Sequence, residues 1–259
     1  MIHIVTTHVG DDRWIELQLR HVRRHTREAY RTWAALDGAA TSLADRFDHA
    51  EPSRGRVGAN LNHLATLVGA EADPADLLVF LDGDAFPVGD WITAARGWLA
   101  RFELAAVRRD ENLGDPQSHQ LFCVTTVGFW QRIGGDWRPG PRWVSYAGRA
   151  ETDHGARVLR ILNGAGLAWH PILRSNRRDL HPLWFGIYGD VVYHHGAGFR
   201  APASRLAGVQ FGHLPVPLAR AARWRAERGA RRASEAVYRR LLAGDELIDE
   251  LMTFPDQAD

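Results

Sequence analysis

At 259 residues the chain is long enough to bury a full core, as one domain with an appendage. Its 32 basic and 31 acidic residues nearly cancel to a formal charge of +1, which argues against a dedicated nucleic-acid binder. The single cysteine, Cys123, excludes an intrachain disulfide and fits a reducing compartment. It lies in an apolar run and reads as a buried structural thiol rather than a nucleophile. No apolar run approaches a membrane span, and no basic-then-apolar leader opens the chain, so the cytoplasm is the expected location. The basic residues are all arginine.

Residues 2–7 are a short β-branched run and predict a first strand. It ends near His8 and Gly10, where Asp11 or Asp12 suits the cap of a helix carrying Trp14, Ile15, Leu17, Leu19 and Val22. Residues 30–36 predict a second strand, closed by the turn signal Asp37-Gly38. Strand, helix, strand at the outset indicates an α/β fold. A helix is expected over residues 41–48, a loop over 51–56, and a strong helix over 57–72 with Leu61, Leu64, Ala65 and Val68 on one face.

Residues 77–81 are a continuous apolar run that ends in Asp82-Gly83-Asp84. Such a run reads as a strand buried on both faces, and ligands of α/β sheets bind at the carboxyl ends of strands. Residues two apart on an extended segment point the same way, so both carboxylates can face one site. Paired carboxylate oxygens suit magnesium or manganese, which commonly take one or two carboxylates plus substrate phosphates.

Further on, a helix is expected over residues 91–101 and strands over 103–107 and 121–127. Between these strands, polar residues 108–120 predict a mobile loop over the site. Residues 137–150 read as loop. Glu151-Thr152-Asp153 precedes a helix over 154–162, with Thr152 or Asp153 as its N-cap. Residues 167–173 and 190–195 predict the last strands, the latter ending in His194-His195. Residues 218–252 predict arginine-rich helices, which present a solvated face or meet a second copy or anionic lipid. The expected division is a catalytic unit over 1–215 and a helical appendage over 216–259.

The order of these pieces resembles the GT-A glycosyltransferases, particularly the family-2-like bacterial enzymes. The first strand, Asp37-Gly38, the segment Gly58-Ala59-Asn60-Leu61-Asn62, the strand into Asp82-Gly83-Asp84, and Gly134-Gly135-Asp136 carry the resemblance. It implies a three-layer Rossmann-like sandwich with a mostly parallel central sheet and C-terminal helices. It also implies a metal-dependent transfer of sugar from a nucleoside diphosphate sugar to a hydroxyl acceptor, with inversion.

On this resemblance, Thr6, Thr7, Asp37, Asn60 and Asp82 are expected to hold the donor. Asp82 and Asp84 would bind Mn2+ or Mg2+ together with His194 or His195. Strand alternation turns His195 to the other face and favours His194. Glu151 or Asp153 would be the catalytic base, although Ala150 stands where the family carries its first acidic residue. Arg200 and Arg205 would pair with the diphosphate, on a segment over 196–212 expected to close as a lid. Trp143, Tyr146, Trp169, Trp184, Phe185 and Tyr188 would divide between core and sugar cleft.

Two other readings compete. A haloacid-dehalogenase-type phosphohydrolase also places Asp-x-Asp after a strand. That motif normally opens its fold, whereas here two strand–helix units precede it. The other is a GT-A-like module that binds nucleotide sugar without turnover.

Overall fold

A computed structural model describes residues 1–10, 12–196 and 213–254. Its frame is a seven-stranded sheet built from β1 (Ile2–Val9), β2 (Tyr30–Asp37), β3 (His49–Pro52), β4 (Leu77–Asp82), β6 (Leu104–Val107), β7 (His119–Thr126) and β10 (His170–Ile172). The order is β10-β6-β7-β4-β1-β2-β3. The four strands β3, β2, β1 and β4 pair parallel, as do β10 and β6, while β7 runs antiparallel to both its neighbours. The expected α/β sandwich with a mostly parallel sheet is present.

The apolar run of β4 shows how sequence makes the central strand. Leu78 and Phe80 pack to one side with Trp33, Leu64, Trp130 and Trp137. Val79 and Leu81 pack to the other with Ile4, Trp91 and Phe122. Side chains alternate across the sheet, so a strand covered on both faces must be apolar at every position. The first of these faces is covered by α2 (Val57–Glu71), α4 (Val127–Ile133) and α5 (Ala156–Gly164). The other is covered in part by α1 (Arg13–His25) and α3 (Trp91–Leu99).

After β2 the chain runs out to β3, then returns through α2 to β4 on the opposite side of β1. The reversal leaves a crevice at the carboxyl ends of β1 and β4, where Thr7 lies in register with Asp82. A second, antiparallel sheet stands at this edge: β5 (Ala85–Pro87), β12 (Val192–His194) and β11 (Gly186–Tyr188). A two-stranded ribbon, β8 (Trp143–Val144) with β9 (Ala150–Glu151), lies within the expected loop.

The C-terminal helices are α6 (Val216–Ala243) and α7 (Glu246–Met252). Val237, Tyr238 and Leu241 of α6 and Leu247, Ile248 and Leu251 of α7 share a core with Trp14 and Leu17 of α1 and with Phe86 and Tyr193 of the small sheet. Among the described residues, no helix is long and apolar enough to cross a membrane.

Several local expectations change. The segment over 41–48 is a 3-10 helix (Gly38–Arg46) with non-helical geometry at Leu43. Thr41 and Ser42 return hydroxyl hydrogen bonds to the carbonyls of Gly38 and Ala39, offering the backbone an alternative to an α-helix. Residues 108–118 are irregular, as expected, but packed: Arg109, Asn112, Asp115, Gln117 and Ser118 are buried, as are His119 and Gln120 at the start of β7. Several later segments close over them: Tyr146 donates its N–H to the Leu113 carbonyl with its ring over Gly114, Arg109 donates to the Leu183 carbonyl, and Gly155 abuts the Ser118 carbonyl.

Neither Thr152 nor Asp153 caps α5. The cap is Gly155 at φ 102°, with no side-chain hydrogen bond. A side chain there would collide with the Ser118 carbonyl as well as adopt a left-handed backbone. Asp12 flanks α1 without a side-chain cap, and Asp11 lies outside the described residues.

Candidate active site

Asp82 ends β4, Gly83-Asp84 turn the chain, and β5 then enters the small sheet. Strand β12 pairs with β5 so that His194 lies opposite Ala85. The His195 N–H donates to the Asp84 carbonyl at 3.0 Å, and the Gly196 N–H donates to Asp84 Oδ2 at 3.1 Å. This pairing carries a histidine more than a hundred residues downstream onto the two aspartates. His194 Nε2 is 3.5 Å from Asp84 Oδ1 and 3.7 Å from Asp82 Oδ2. One ligand atom from each of the three residues lies within 4.8 Å of the others.

The turn is also held from behind. Gln18 of α1 is buried, and its Nε2 donates to the carbonyls of Asp82 and Ala85 at 2.8 and 2.7 Å. With both donors committed, Gln18 Oε1 accepts from His8 Nε2 at 3.1 Å. Gln18 sits one helical turn from Trp14 and from Val22, a polar residue on an apolar stripe, and that was its signal in the sequence.

The electrostatics of the pair are mismatched. Burial and the neighbouring Asp84 charge push the Asp82 carboxyl up to about 7, and Asp153 adds to this. His154 and Arg109 pull the other way without compensating. Two carboxylates this close resist ionising together, and a divalent cation is the group that relieves them. Two carboxylate oxygens and one imidazole nitrogen are donors that fit manganese well and magnesium acceptably.

Around this centre lie groups that the sequence did not single out. His119 is buried, with its ring centroid 6.5 Å from that of His194. Its Nδ1 accepts from the Leu121 N–H at 3.1 Å. Burial, then Arg109, press it well below the usual imidazole range. Arg109 is buried, with Nε 3.6 Å from Glu111 Oε1, and the Tyr188 hydroxyl donates to the same Glu111 oxygen at 2.6 Å. The buried Gln117 amide and Ser118 hydroxyl have no hydrogen-bond partner among the described residues.

Of the acidic triplet, Asp153 reaches this centre electrostatically. Its charge acts on Asp82, Arg109 and His119. Burial would raise its own pKa, but hydrogen bonds from His154 outweigh that and hold it below the ordinary carboxylate range. Its Oδ1 accepts from the His154 N–H at 2.9 Å. Glu151 is half-buried on β9, opposite Trp143.

His195 does not join the cluster. Its Nδ1 is 3.0 Å from the Tyr193 hydroxyl and its Nε2 is 2.7 Å from Ser234 Oγ on α6. Its ring packs on Trp14, and burial pushes it down to about 3. Strand alternation sends the two imidazoles to opposite faces, and His195 is spent on joining α6 to the turn.

Asn60 is buried, and its amide holds the preceding loop: Oδ1 accepts from the Arg54 N–H at 2.6 Å and Nδ2 donates to Ser53 Oγ at 3.0 Å. Thr6 and Thr7 are buried at the carboxyl end of β1, and Asp37 is exposed at the end of β2. Trp184, Phe185 and Tyr188 are buried core, Trp143 and Trp169 half-buried, and Tyr146 exposed. Arg200, Arg205 and all but the first residue of the expected lid lie outside the described residues.

No protein-family model and no curated relative matches the chain. Solved structures similar to it include the mannosyltransferase PcManGT from Pyrobaculum calidifontis, in complex with GDP-Man and Mn2+. That similarity has 15% identity and a TM-score of 0.41, over 53% of this chain and 47% of that one. S. aureus TarS 1-349 gives 7% identity and 0.39, over 53% and 50%. The galactosyltransferase LgtC, in complex with donor and acceptor sugar analogs, gives 13% and 0.40, over 68% and 74%. The matched region thus spans about half the length of the first two.

Proposed function

We propose that the protein is a metal-dependent glycosyltransferase that moves a sugar from a nucleoside diphosphate sugar to a hydroxyl acceptor, with inversion. The convergence of Asp82, Asp84 and His194 at the carboxyl-end crevice between β1 and β4 carries this reading. A divalent cation held there, Mn2+ or Mg2+, would supply Lewis-acid neutralisation of the departing diphosphate.

The chain's own residues then divide the remaining work. Thr6, Thr7 and Asp37 edge the crevice on the donor side, and Asn60 acts by fixing the loop at 53–55 rather than by touching the donor. Asp153, whose charge reaches Asp82, is the base. It takes the acceptor hydroxyl proton while the acceptor oxygen bonds to the anomeric carbon and the bond from that carbon to the diphosphate breaks. Of the two acidic candidates, Asp153 is favoured because its charge acts on Asp82, Arg109 and His119 together.

The test is a melting-temperature panel of UDP, GDP, dTDP and CDP with and without manganese, followed by sugar transfer and donor hydrolysis with the stabilising base. One diphosphate should stabilise the fold, and more so with metal. In the same assay Asp153→Asn should lower kcat by about 100-fold or more with little change in donor affinity, and Glu151→Gln by far less. No stabilisation by any diphosphate, together with no transfer or hydrolysis, would defeat the reading.

A further inference from the structure

Helix α6 has two unlike halves. Its carboxyl-terminal half is docked: Val237, Tyr238 and Leu241 are buried, Glu235 pairs with Arg13 at 3.1 Å and with Arg239 at 3.0 Å, and Arg240 pairs with Glu250 at 2.5 Å. Over residues 216–236 no side chain is buried. Residues 216–232 hold six arginines against Glu227, a net charge of +5 in a chain whose total is +1, so all the rest carries −4. Among the described residues, none of these six arginines makes an ion pair.

Three of the six arginines share a stripe with Trp224, while Arg223 lies on the alanine side and Arg225 and Arg232 lie between the two. Ala219, Ala222 and Ala230, all half-buried, share one face. Arg220, Trp224, Arg228 and Arg231 recur at steps of four, four and three, and form a stripe on the opposite face. Trp224 is 58% exposed, and the Arg228 guanidinium lies 5.2 Å from its ring centroid. Leu218 and Val216, nearer the amino end, are 59% and 67% exposed. A helix that only needed solubility would mix signs along its exposed faces.

We propose that the amino-terminal half of α6 is a docking surface for an anionic lipid bilayer. Unpaired arginines gain from the negative surface potential of such a bilayer. An indole seated among them takes the interfacial depth that tryptophan favours, and Val216, one turn before Arg220, supplies apolar area for the headgroup–acyl boundary. A nucleic acid would match the charge but leave the aliphatic side chain unused. A second copy docking through the same stripe would set like charges against each other. The surface is independent of the proposed sugar transfer, and neither stands or falls with the other.

The test is flotation of the full chain with vesicles of phosphatidylcholine alone and of phosphatidylcholine mixed with phosphatidylglycerol, at low and high salt. Partition should be more than about tenfold stronger to the anionic mixture and fall steeply with salt. The combined variant Arg220→Glu, Arg228→Glu and Arg231→Glu should lose it while keeping the parent's circular dichroism and melting temperature. Brominated lipid should quench the parent's fluorescence, and Trp224→Phe should remove that quenching while the protein still floats. Equal partition to both vesicle types, or none, overturns the proposal. So does tighter binding to an RNA oligomer than to anionic vesicles at matched salt.

Discussion

Asp136 and Asp82 are aspartates of similar side-chain exposure, 12% and 17%, and they fare in opposite ways. Asp136 follows Gly134-Gly135 and has its own donors. Asn62 Nδ2 gives 2.7 Å, the Arg138 N–H 2.9 Å, the Arg138 guanidinium 2.7 Å, and Arg157 3.2 Å. Burial would raise its pKa, but the Arg138 and Asn62 hydrogen bonds hold it below the carboxylate range. Asp82 is more deeply desolvated and has Asp84 beside it, and rises to about 7. A structural carboxylate comes with its counter-charges. Asp82 and Asp84 are instead set against each other, an arrangement that a cation relieves.

Exchanging single charges should break this contrast most visibly at Asp84. Asp84→Asn keeps an acceptor for the Gly196 N–H but removes charge. Sugar transfer should fall more than about 100-fold, and stabilisation by manganese should vanish. The metal-free protein should melt no lower than the parent, because a repulsion has gone. Full activity with an unchanged metal requirement would take Asp84 out of the site.

The mirror experiment is Asp136→Ala, which should cost about 2 kcal/mol in urea unfolding and leave the manganese shift intact. Most of that loss comes from Asn62 and the Arg138 backbone, since the two guanidinium groups are well exposed and screened. A loss of metal response with unchanged stability would reverse the roles assigned to the two aspartates.

A smaller, pH-dependent effect separates the docked helices from the site. His21 is buried against Phe86, 3.5 Å from Asp245, with His25 and Arg20 also near. Burial pushes it down to about 4, partly opposed by Asp245. The unfolded chain therefore takes up a proton at about 6.5 that the folded chain refuses until about 4. The stability this provides is complete above the unfolded value and is lost as pH falls through that window, up to roughly 3 kcal/mol. Urea midpoints measured across it should decline in the parent and decline less in His21→Phe. Identical slopes would exclude His21 as the acid-labile group.

Much of the frame was legible in the residues. An unbroken apolar run means burial on both faces, and residues 77–81 bear this out. That Asp82 and Asp84 stand at a carboxyl end follows from the same run. The alternation of Leu61, Leu64, Ala65 and Val68 marks α2, since helical period is a local property. Strand alternation even told His194 from His195.

Tertiary structure decided what meets what. His194 reaches Asp84 because β12 pairs with β5, and no local pattern encodes a partner about 110 residues away. Residues 108–120 read as a mobile loop because their polarity is local, while the segments that pack on them lie further along the chain. His119 and Arg109 carried no periodic signal for the same reason. Periodicity and turn chemistry act over a few residues and can be read from sequence. Burial, charge balance and convergence at a site depend on which distant strands pair, and only the folded chain sets them.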